Sequence, residues 1–480
     1  MRMPFSFLSW FLPLSLRGAR RRGNPVLAIH SASLRLCVSF FSAFLVLLLL
    51  PLTSFADTPS FTSHVITTSA DALRSVYAAD VDGDGDMDIL SAAAGDDKVA
   101  WYENDGSESF TEHVISTSAD GVRSVYAADM DGDGDMDVLS ASQLDNKVAW
   151  YENDGSESFT EHALSTSANG AMSVHAADLD GDGDMDALSA SYHNNKVAWY
   201  ENDGSGSFTE HAVTTSASGA YSVYTADVDD DGDMDVVSAS YQDNKIAWYE
   251  NDGSESFTSH TISTSASGAV WVHAADLDDD GDVDMLSASV NDDKIAWYEN
   301  DGSESFTTRN ISTSADQATT VHVADLDGDG DLDVLSASQR DDKFAWFEND
   351  GSEGFTEHAL STSADGAHSI HAVDLDGDGD VDVLSGSHLD DAIAWYENDT
   401  ISPFDPTSGL VAYYPFDGNA SDMSGNGNHG TLNGAILSAD RHGGPSKAYY
   451  FDGTDDKVIT PLTVDLDDAL SISVWVKPFD

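Results

Sequence analysis

Residues 80–88 read Asp-Val-Asp-Gly-Asp-Gly-Asp-Met-Asp, which places five carboxylates in nine residues with glycine between them. The pattern returns six more times, and each copy is displaced by 49 residues from the one before it. The later copies begin at Asp129, Asp178, Asp227, Asp276, Asp325 and Asp374. A loop repeated at a fixed interval predicts one structural unit per copy, with the loop at the same place in each unit.

The repeat extends from Ser60 to about Asp399, and each unit contains four short runs of β-forming residues bounded by turn residues. In the second copy these runs cover 124–128, 138–142, 148–152 and 159–164. A period of roughly 40 to 50 residues is typical of propeller blades or of paired helices. The Gly, Ser and Thr content of each unit excludes helices, so the sequence predicts an all-β, seven-bladed β-propeller.

The repeat begins and ends out of step with the blades. It begins at a fourth-strand segment, Ser60 to Ile66, and ends after a third-strand segment, Ile393 to Asp399. Pairing of these two segments would complete the seventh blade and leave no open sheet edge. We therefore predict a closed propeller over 57–400, followed by a linker over 401–407.

The global charge narrows the possible partners. The chain has 480 residues, enough for two or three domains, with 86 acidic and 20 basic residues. All acidic residues follow residue 56 and six basic residues precede it, so 57–480 carries 14 basic residues and a formal charge of −72. Such a surface repels nucleic acid and anionic lipid, and it favours cations, cationic partners or neutral glycans.

The first 56 residues contain six of the arginines, then an apolar run over 38–50 and small residues at positions 54 and 56. This order predicts a secretory signal peptide over 1–56 that is cleaved after Ala56, with a downstream start codon or a membrane anchor as alternatives. The single cysteine, Cys37, lies in this segment. We expect a secreted or cell-surface protein without disulfides and without membrane insertion of the mature chain, which needs another means of stabilisation.

The acidic loop has the composition of a calcium site, since calcium prefers about six to eight oxygen ligands on a flexible loop. Positions one, three, five and nine would supply side-chain oxygens, position seven a backbone carbonyl, and the glycine at position six the tightest bend. An EF-hand begins in the same way, but it requires a glutamate at position twelve and helical flanks. Position twelve is Ser91 and both flanks are strand-like, so the EF-hand is excluded.

The loop pattern Asp-X-Asp-X-Asp-Gly-X-X-Asp resembles the calcium hairpin of FG-GAP (VCBS) repeats, the blades of integrin α-type propellers, over about residues 58–400. The resemblance implies one calcium ion at the turn between the first and second strands of each blade. The implied ligand positions are Asp80, Asp82, Asp84, Asp86 and Asp88; Asp129, Asp131, Asp133, Asp135 and Asp137; Asp178, Asp180, Asp182, Asp184 and Asp186; Asp227, Asp229, Asp231, Asp233 and Asp235; Asp276, Asp278, Asp280, Asp282 and Asp284; Asp325, Asp327, Asp329, Asp331 and Asp333; and Asp374, Asp376, Asp378, Asp380 and Asp382. Copies four and five carry Asp230 and Asp279 at the fourth position, which is not a ligand position.

Two other interpretations of the acidic loops are weaker. Soluble turns without metal would show scattered Asn, Ser and Gly, whereas carboxylate occupies all five positions in all seven copies. A catalytic metal needs an open coordination position, and a loop saturated with its own ligands leaves none. We therefore expect calcium to stabilise the blades.

Two further repeated positions have a packing and a functional interpretation. The Trp-Tyr-Glu-Asn segments, from Trp101 to Trp395, could stack on carbohydrate, but third strands that press on neighbouring blades through both faces favour a core role. One first-strand position holds His in four copies and Tyr in three. Interchange with tyrosine argues against a metal ligand and favours packed rings; the residues are His175, His273, His322, His371, Tyr77, Tyr126 and Tyr224.

Variation between the near-identical copies indicates where recognition could lie. In an antiparallel blade the calcium hairpin and the Asn-Asp-Gly turn share one rim, and the loops after the second and fourth strands share the other, which we call the second rim. Large side chains vary on the second rim, where they could bind a ligand, although neutral drift of exposed loops is an equal alternative. The candidate ligand-binding residues are Arg74, Arg123, Tyr192, Tyr221, Tyr241, Trp271, Arg340 and His388.

No catalytic motif is present: there is no nucleophilic cysteine in the repeats, no GxSxG, no HExxH and no phosphate loop. The calcium pattern accounts for the carboxylate clusters, and nothing marks out a glycosidase pair. We therefore predict that the chain is not an enzyme.

The segment over 408–480 has a different pattern, with Gly-Leu-Val-Ala-Tyr-Tyr-Pro-Phe-Asp-Gly near its start and Ser-Ile-Ser-Val-Trp-Val-Lys-Pro near its end. It resembles the beginning of a laminin-G-like, concanavalin A-like jelly roll, a family that commonly binds glycan or protein, and we expect the domain to continue beyond residue 480. The predicted function is calcium-stabilised adhesion to, or binding of, extracellular glycan or protein. The alternatives are an accessory region of a polysaccharide-degrading enzyme and a structural stalk.

Overall fold

The computed structural model describes residues 59–254 and 256–399, together with 420–421, 429–433, 435–438, 448–450 and 457–459. The predicted signal peptide over 1–56, the linker over 401–407 and most of the predicted jelly roll over 408–480 lie outside these residues. Every regular element in the described part is a β-strand.

Residues 61–398 form seven four-stranded antiparallel sheets, which are the blades of a propeller. The first strands contact one another from blade to blade, and those of blades 7 and 1 also touch, so the ring is closed. The first strands are Leu73–Ala79, Val122–Ala128, Ala171–Ala177, Ala220–Ala226, Ala269–Ala275, Ala318–Ala324 and Ala367–Val373. The second strands are Asp88–Ala93, Asp137–Ser142, Asp186–Ser191, Asp235–Ser240, Asp284–Ser289, Asp333–Ser338 and Asp382–Ser387. The third strands are Lys98–Asn104, Lys147–Asn153, Lys196–Asn202, Lys245–Asn251, Lys294–Asn300, Lys343–Asn349 and Ala392–Asn398. The fourth strands of blades 1 to 6 are Phe110–Ser116, Phe159–Ser165, Phe208–Thr214, Phe257–Ser263, Phe306–Ser312 and Phe355–Ser361, and Phe61–Thr67 supplies that of blade 7.

The closing pair joins the two ends of the repeat as the phase of the sequence predicts. Phe61 lies opposite Asn398 and Val65 lies opposite Ala394 in an antiparallel register. The amide of Asp399 also donates to the carbonyl of Ser60 across 2.7 Å. The seventh blade is therefore built from both ends of the repeat region.

The hydrophobic core is divided among the seven interfaces between blades. One cluster joins Leu90 and Trp101 of blade 1 to Val125 and Tyr151 of blade 2, and six equivalent clusters serve the other interfaces. The second strands are buried along their whole length in every blade. Because each blade completes its core only with its neighbours, a single blade has too little core to fold alone.

Each first strand carries a β-bulge at its second residue. In blade 1, Leu73 lies opposite Ala93 and Ser75 lies opposite Ala92, so Arg74 has no partner of its own in the ladder. The same irregularity occurs in all seven blades. A bulge bends its strand and redirects a side chain. The seven bulge residues are Arg74, Arg123, Met172, Tyr221, Val270, Thr319 and His368.

The loops divide between two rims as the sequence predicts. The rim that carries the acidic hairpins and the Asn-Asp-Gly turns is called the calcium rim, after the ion that the sequence predicts there. On this rim the turn approaches the hairpin so closely that a methyl group built on Gly106 would lie 2.4 Å from a carboxylate oxygen of Asp86. On the second rim, the amide of Gly95 donates to the carbonyl of Asp71, which joins the loop after the second strand to the start of the first.

A separate compact unit contains the C-terminal segment. Its described strands are Thr431–Asn433, Ile436–Ser438, Ala448–Tyr450 and Lys457–Ile459. The first pairs with the last, and the two middle strands pair with each other, both in antiparallel register.

Candidate functional sites

The acidic hairpin is folded by its own carboxylates. Asp80 accepts hydrogen bonds from the amides of Gly83 and Gly85, at 2.8 and 3.1 Å. Asp82 accepts from the amide of Asp84, and Asp84 accepts from that of Asp86. Such carboxylate-to-amide bonds hold the backbone in successive tight turns and point further carboxylate oxygens towards one centre.

Positions one, three and nine of the hairpin converge. One carboxylate oxygen from each of Asp80, Asp82 and Asp88 lies within 4.8 Å of the others, and four further copies have the same arrangement at equivalent residues. Asp88 is fully buried, and its two oxygens accept from the amides of Val81 and Asn104. Burial and, to a smaller extent, the neighbouring carboxylates Asp82 and Asp84 raise the pKa of Asp88 to about 7 despite those two bonds. The site thus concentrates negative charge that the protein itself does not neutralise.

This donor set fits a hard divalent cation such as calcium. All the donors are oxygens, as calcium prefers. Three equivalent hairpins also hold a buried carboxylate oxygen without a hydrogen-bond partner, namely Oδ1 of Asp229, Asp278 and Asp325. A bound ion would satisfy such an oxygen and offset the repulsion among the carboxylates. The converging groups of five hairpins contain positions one, three and nine. Asp84 at position five is close enough to raise the pKa of Asp88, whereas Asp86 at position seven packs against the Asn-Asp-Gly turn.

A ring of asparagines links neighbouring hairpins, and the sequence analysis missed it. The side chain of Asn153 donates to the carbonyl of Val81 in the preceding blade and to that of Met136 in its own. The backbone amide of Asn153 donates to the side chain of Asp137, the carboxylate at position nine of the hairpin in the same blade. Equivalent bonds occur at Asn104, Asn202, Asn251, Asn300, Asn349 and Asn398. The available signal was that this Asn occurs in all seven Trp-Tyr-Glu-Asn or Trp-Phe-Glu-Asn segments.

The third-strand tryptophans belong to the core. Trp101 is 1% exposed, and the imidazole of His113 stacks on it with ring centroids 4.6 Å apart. His113 also contacts Glu103 through a 2.7 Å Nε2–Oε2 pair. The other tryptophans of this position are buried to the same degree, so their faces are not available to a sugar.

The His and Tyr position of the first strands forms a closed aromatic ring around the channel. Each ring contacts the next, with centroids 4.5 to 4.9 Å apart, and His371 contacts Tyr77 to complete the circle. Burial lowers the pKa of His175 and of His322 to about 4, so both are neutral at physiological pH.

Above this ring, on the second rim, six of the eight candidate ligand-binding residues form one group. Arg74 donates from Nη2 to Nε2 of His388 across 3.1 Å. Arg123 donates to the side-chain oxygen of Gln143. The rings of Tyr192, Tyr221 and Tyr241 have mutual centroid distances of 6.0 to 6.4 Å. We call this group, with His368 beside His388, the second-rim cluster.

The two remaining candidates are placed differently. Arg340 is exposed, and its guanidinium pairs with Asp316 at 3.6 Å. Trp271 occupies a position that holds Ser or Thr in the other copies, and its partly buried ring packs against the core between blades 5 and 6. Tyr221 and Tyr241 pack against the same core, so a substitution at any of these three positions needs its melting temperature measured beside its binding.

Two cavities lie on the calcium rim. The larger, about 420 Å³, is lined by the hairpins of blades 2 and 3, including Asp129, Met136 and Asp184. The smaller, about 340 Å³, lies beside Trp150 and His162. Both adjoin the acidic hairpins, and neither includes an arginine.

A closed ring of seven four-stranded antiparallel sheets makes this a seven-bladed β-propeller. The FG-GAP-like repeat model matches residues 80–140, 129–189, 180–238, 227–287, 276–336 and 325–385. These matches together span well over half of the chain, and the chain belongs to the FG-GAP-like repeat family. No curated protein matches the sequence.

Solved structures share the fold at low sequence identity. The WD40 β-propeller domain of Doa1 is 13% identical with a TM-score of 0.53, covering 71% of this chain and 97% of that one. A BBS1N chain crystallised with ARL6DN is 10% identical with a TM-score of 0.51, covering 70% and 95%. A lectin from Agrocybe aegerita that recognises non-reducing terminal N-acetylglucosamine is 18% identical with a TM-score of 0.44, covering 64% and 81%.

In the described part of the chain, no helix has the length and apolar character that crossing a membrane requires.

Proposed function

We propose that this chain is a secreted or cell-surface, calcium-stabilised binding protein that captures an extracellular glycan or protein on its second rim and performs no catalysis. The observation that carries the proposal is the second-rim cluster. Residues that differ between otherwise near-identical copies meet there, four of them on bulges that redirect side chains.

The contrast between the rims supports this assignment. The calcium rim repeats the same acidic hairpin and turn in each blade, as a stabilising role requires. The second rim breaks the sevenfold repetition: Arg74 and Arg123 occupy the bulges of blades 1 and 2, and Tyr221 that of blade 4, whereas Val270 and Thr319 are buried in blades 5 and 6. Arginine and tyrosine are enriched where proteins bind their partners, and an asymmetric group of them suits one ligand per ring.

Calcium is part of the proposal because an exported protein without disulfides needs a substitute for them. In each of the seven hairpins the carboxylates would converge on an ion of that hairpin. Each ion would bind only the folded chain and would therefore stabilise it. The ion would join the first and second strands of a blade, and the asparagine ring would transmit that order to the next blade. Calcium is thus assigned to stability and the second rim to recognition.

Binding of the full chain to an array of extracellular glycans and matrix proteins, in calcium, tests the proposal. We expect the double variant Tyr192→Ala, Tyr241→Ala to lose most of the captured signal while Ser205→Ala, an exposed change on the calcium rim, retains it. Equal loss from both changes, or retention by the double variant, would place binding elsewhere.

A further inference from the structure

The second-rim cluster contains an arginine donor that lacks a partner. Nε of Arg74 is buried without a hydrogen-bond partner. Arginine can only donate, so Nε2 of His388 is the acceptor of its bond from Arg74, and Nδ1 of His388 carries the proton. The ring of His388 also interacts with the backbone of Ala72, and that of His368 with the backbone of Arg74. Buried donors are normally satisfied by protein, water or a ligand. The cluster therefore holds a guanidinium donor for which it supplies no acceptor.

The cluster is also positively charged within a strongly acidic molecule. Arg309 and Arg340 pair with carboxylates, whereas Arg74 and Arg123 are held by the neutral acceptors His388 and Gln143. Arg74 and Arg123 occupy the bulges of neighbouring first strands, which contact each other. Burial and, after it, the charge of Arg123 lower the pKa of Arg74 to about 10. Two partly buried cations without an anion repel each other, and a ligand that supplies negative charge would offset that repulsion.

Asp391, an acidic group beside the cluster, does not neutralise this pair. Asp391 acts on His388, but Oδ1 of Asp391 accepts from the amide of Ala72 across 2.9 Å and so fixes the backbone turn. Neither Arg74 nor Arg123 has a carboxylate within 4.0 Å among the residues that the structure describes.

Three tyrosine rings lie beside the arginines. Tyr221 of blade 4 is close enough to Arg74 and Arg123 that their charges oppose the rise in its pKa that burial causes. Tyr192 of blade 3 packs against Gly219 of blade 4, where a methyl group would lie 3.2 Å from its ring. Aromatic faces accept the apolar face of a sugar ring, and their hydroxyls bond its oxygens. Arginine and tyrosine together suit a sugar that carries an anion.

We infer that the second-rim cluster binds the acidic terminal residue of a glycan, with a carboxylate or sulfate on Arg74 and Arg123 and the sugar ring against the tyrosines. The inference rests on the proposed function and narrows its ligand from glycan or protein to an anionic glycan. It is opposite to what the net charge alone predicts, because the local pair of arginines reverses the sign of the surface.

Two features favour a chain end over a long polyanion. The closed aromatic ring lies three residues along the first strands from the bulges, on the side of the cluster away from the second rim, so we expect a ligand to approach from the second rim. The formal charge of −72 over residues 57–480 repels an extended polyanion at long range. A glycan with a single acidic residue carries one negative charge, so the protein repels it much less.

Isothermal titration of the full chain in calcium tests the inference with three tetrasaccharide probes: a galactotetraose that ends in one galacturonate residue, a galactotetraose sulfated once on its terminal residue, and neutral galactotetraose. We expect an acidic probe to bind about 10-fold to 100-fold more tightly than the neutral one, since charge-assisted hydrogen bonds carry the difference. The double variant Arg74→Gln, Arg123→Gln should lose that factor and leave the neutral affinity unchanged. Arg340→Gln, an arginine change on the same rim outside the cluster, should leave all three affinities unchanged.

The outcomes separate the two proposals. Equal binding of the acidic and neutral probes, unaffected by the double variant, overturns the anionic assignment and leaves the second rim as a glycan site. Binding of a peptide with a free terminal carboxylate through the same arginines, without binding of acidic sugar, overturns the glycan assignment. Failure of every glycan and protein on the array to bind overturns both proposals.

A measurement without substitutions covers the case in which the double variant does not fold. Free galacturonate should compete with the bound acidic probe on the unaltered chain, and free galactose should not compete at the same concentration. Equal competition by the two monosaccharides would overturn the inference.

Discussion

Removal of calcium should lower the melting temperature of the full chain by about 25 °C. At a calcium concentration about 100-fold above the dissociation constant, each site that binds only the folded state adds about 2.7 kcal/mol, and seven sites add about 19 kcal/mol. The propeller strands extend from Phe61 to Asn398, and an unfolding entropy of about 2.1 cal/mol/K per residue gives roughly 0.7 kcal/mol/K for that length. The ratio of the two sets the expected shift.

Scanning calorimetry in calcium, in magnesium and in a chelator measures this shift, and mass spectrometry under native conditions counts the ions. The substitution Asp180→Asn alters one converging carboxylate in blade 3, so it should remove one ion and about 4 °C. Asp203→Asn changes an exposed acid in the neighbouring turn and should keep seven ions. A melting temperature that a chelator moves by less than about 3 °C, or that magnesium restores as well as calcium, would refute the calcium assignment.

Three further predictions concern stability. Asn251→Ala removes the side-chain hydrogen bonds to two backbone carbonyls and the bond from the backbone amide of Gly253, so it should lower the free energy of unfolding by about 3 kcal/mol in a denaturant titration. The exposed neighbouring change Asp252→Ala should lower it by less than about 1 kcal/mol, and equal losses would contradict the proposed link between blades. His175 has a folded-state pKa of about 4 and is 7% exposed between two tyrosine rings, so the unfolded chain binds more protons below pH 6.5 and stability falls as pH falls from about 6.5 to 4. With calcium present, the free energy of unfolding of His175→Tyr should fall by about 3 kcal/mol less than that of the unaltered chain between pH 6.5 and pH 4. Parallel curves of unfolding free energy against pH for the two chains would contradict this prediction. Gly183→Ala places an alanine at a φ of +98° and should lower the free energy of unfolding by about 1 to 3 kcal/mol. Gly181→Asp introduces the residue that copies four and five carry at this position, so its loss should be less than half as large. A larger loss for Gly181→Asp would contradict the strain argument.

The fold was predictable because the sequence repeats itself. Seven acidic loops at one spacing gave the blade number, and the phase of Ser60 and Asp399 gave the closing strand. The strand limits were short by one or two residues, since the third strand of blade 2 extends over Lys147–Asn153. Its last residue, Asn153, looked like part of a turn, but its side chain reaches the preceding blade.

The candidate site was predictable only in part. Variation between copies pointed to Arg74, Arg123 and the tyrosines, but it could not show that residues from blades 1, 2, 3, 4 and 7 meet in one group. That arrangement depends on the bulges, which come from backbone geometry and leave no residue signature of their own. Variation alone also pointed to Arg340, which pairs with Asp316 and lies apart.

The closing pair has a consequence for how the protein is made. The strand Phe61–Thr67 is synthesised first among the blades, yet its partner Ala392–Asn398 is synthesised last. Until then the strand Phe61–Thr67 has no partner, while third strands of nearly identical sequence form in the other blades. Each of those third strands is joined by a short turn to a fourth strand of its own, which pairs with it first because it is close. At high concentration the strand Phe61–Thr67 of one molecule can instead complete the seventh blade of another. Conditions that raise the concentration of unfinished chains should favour such exchanged dimers over monomers.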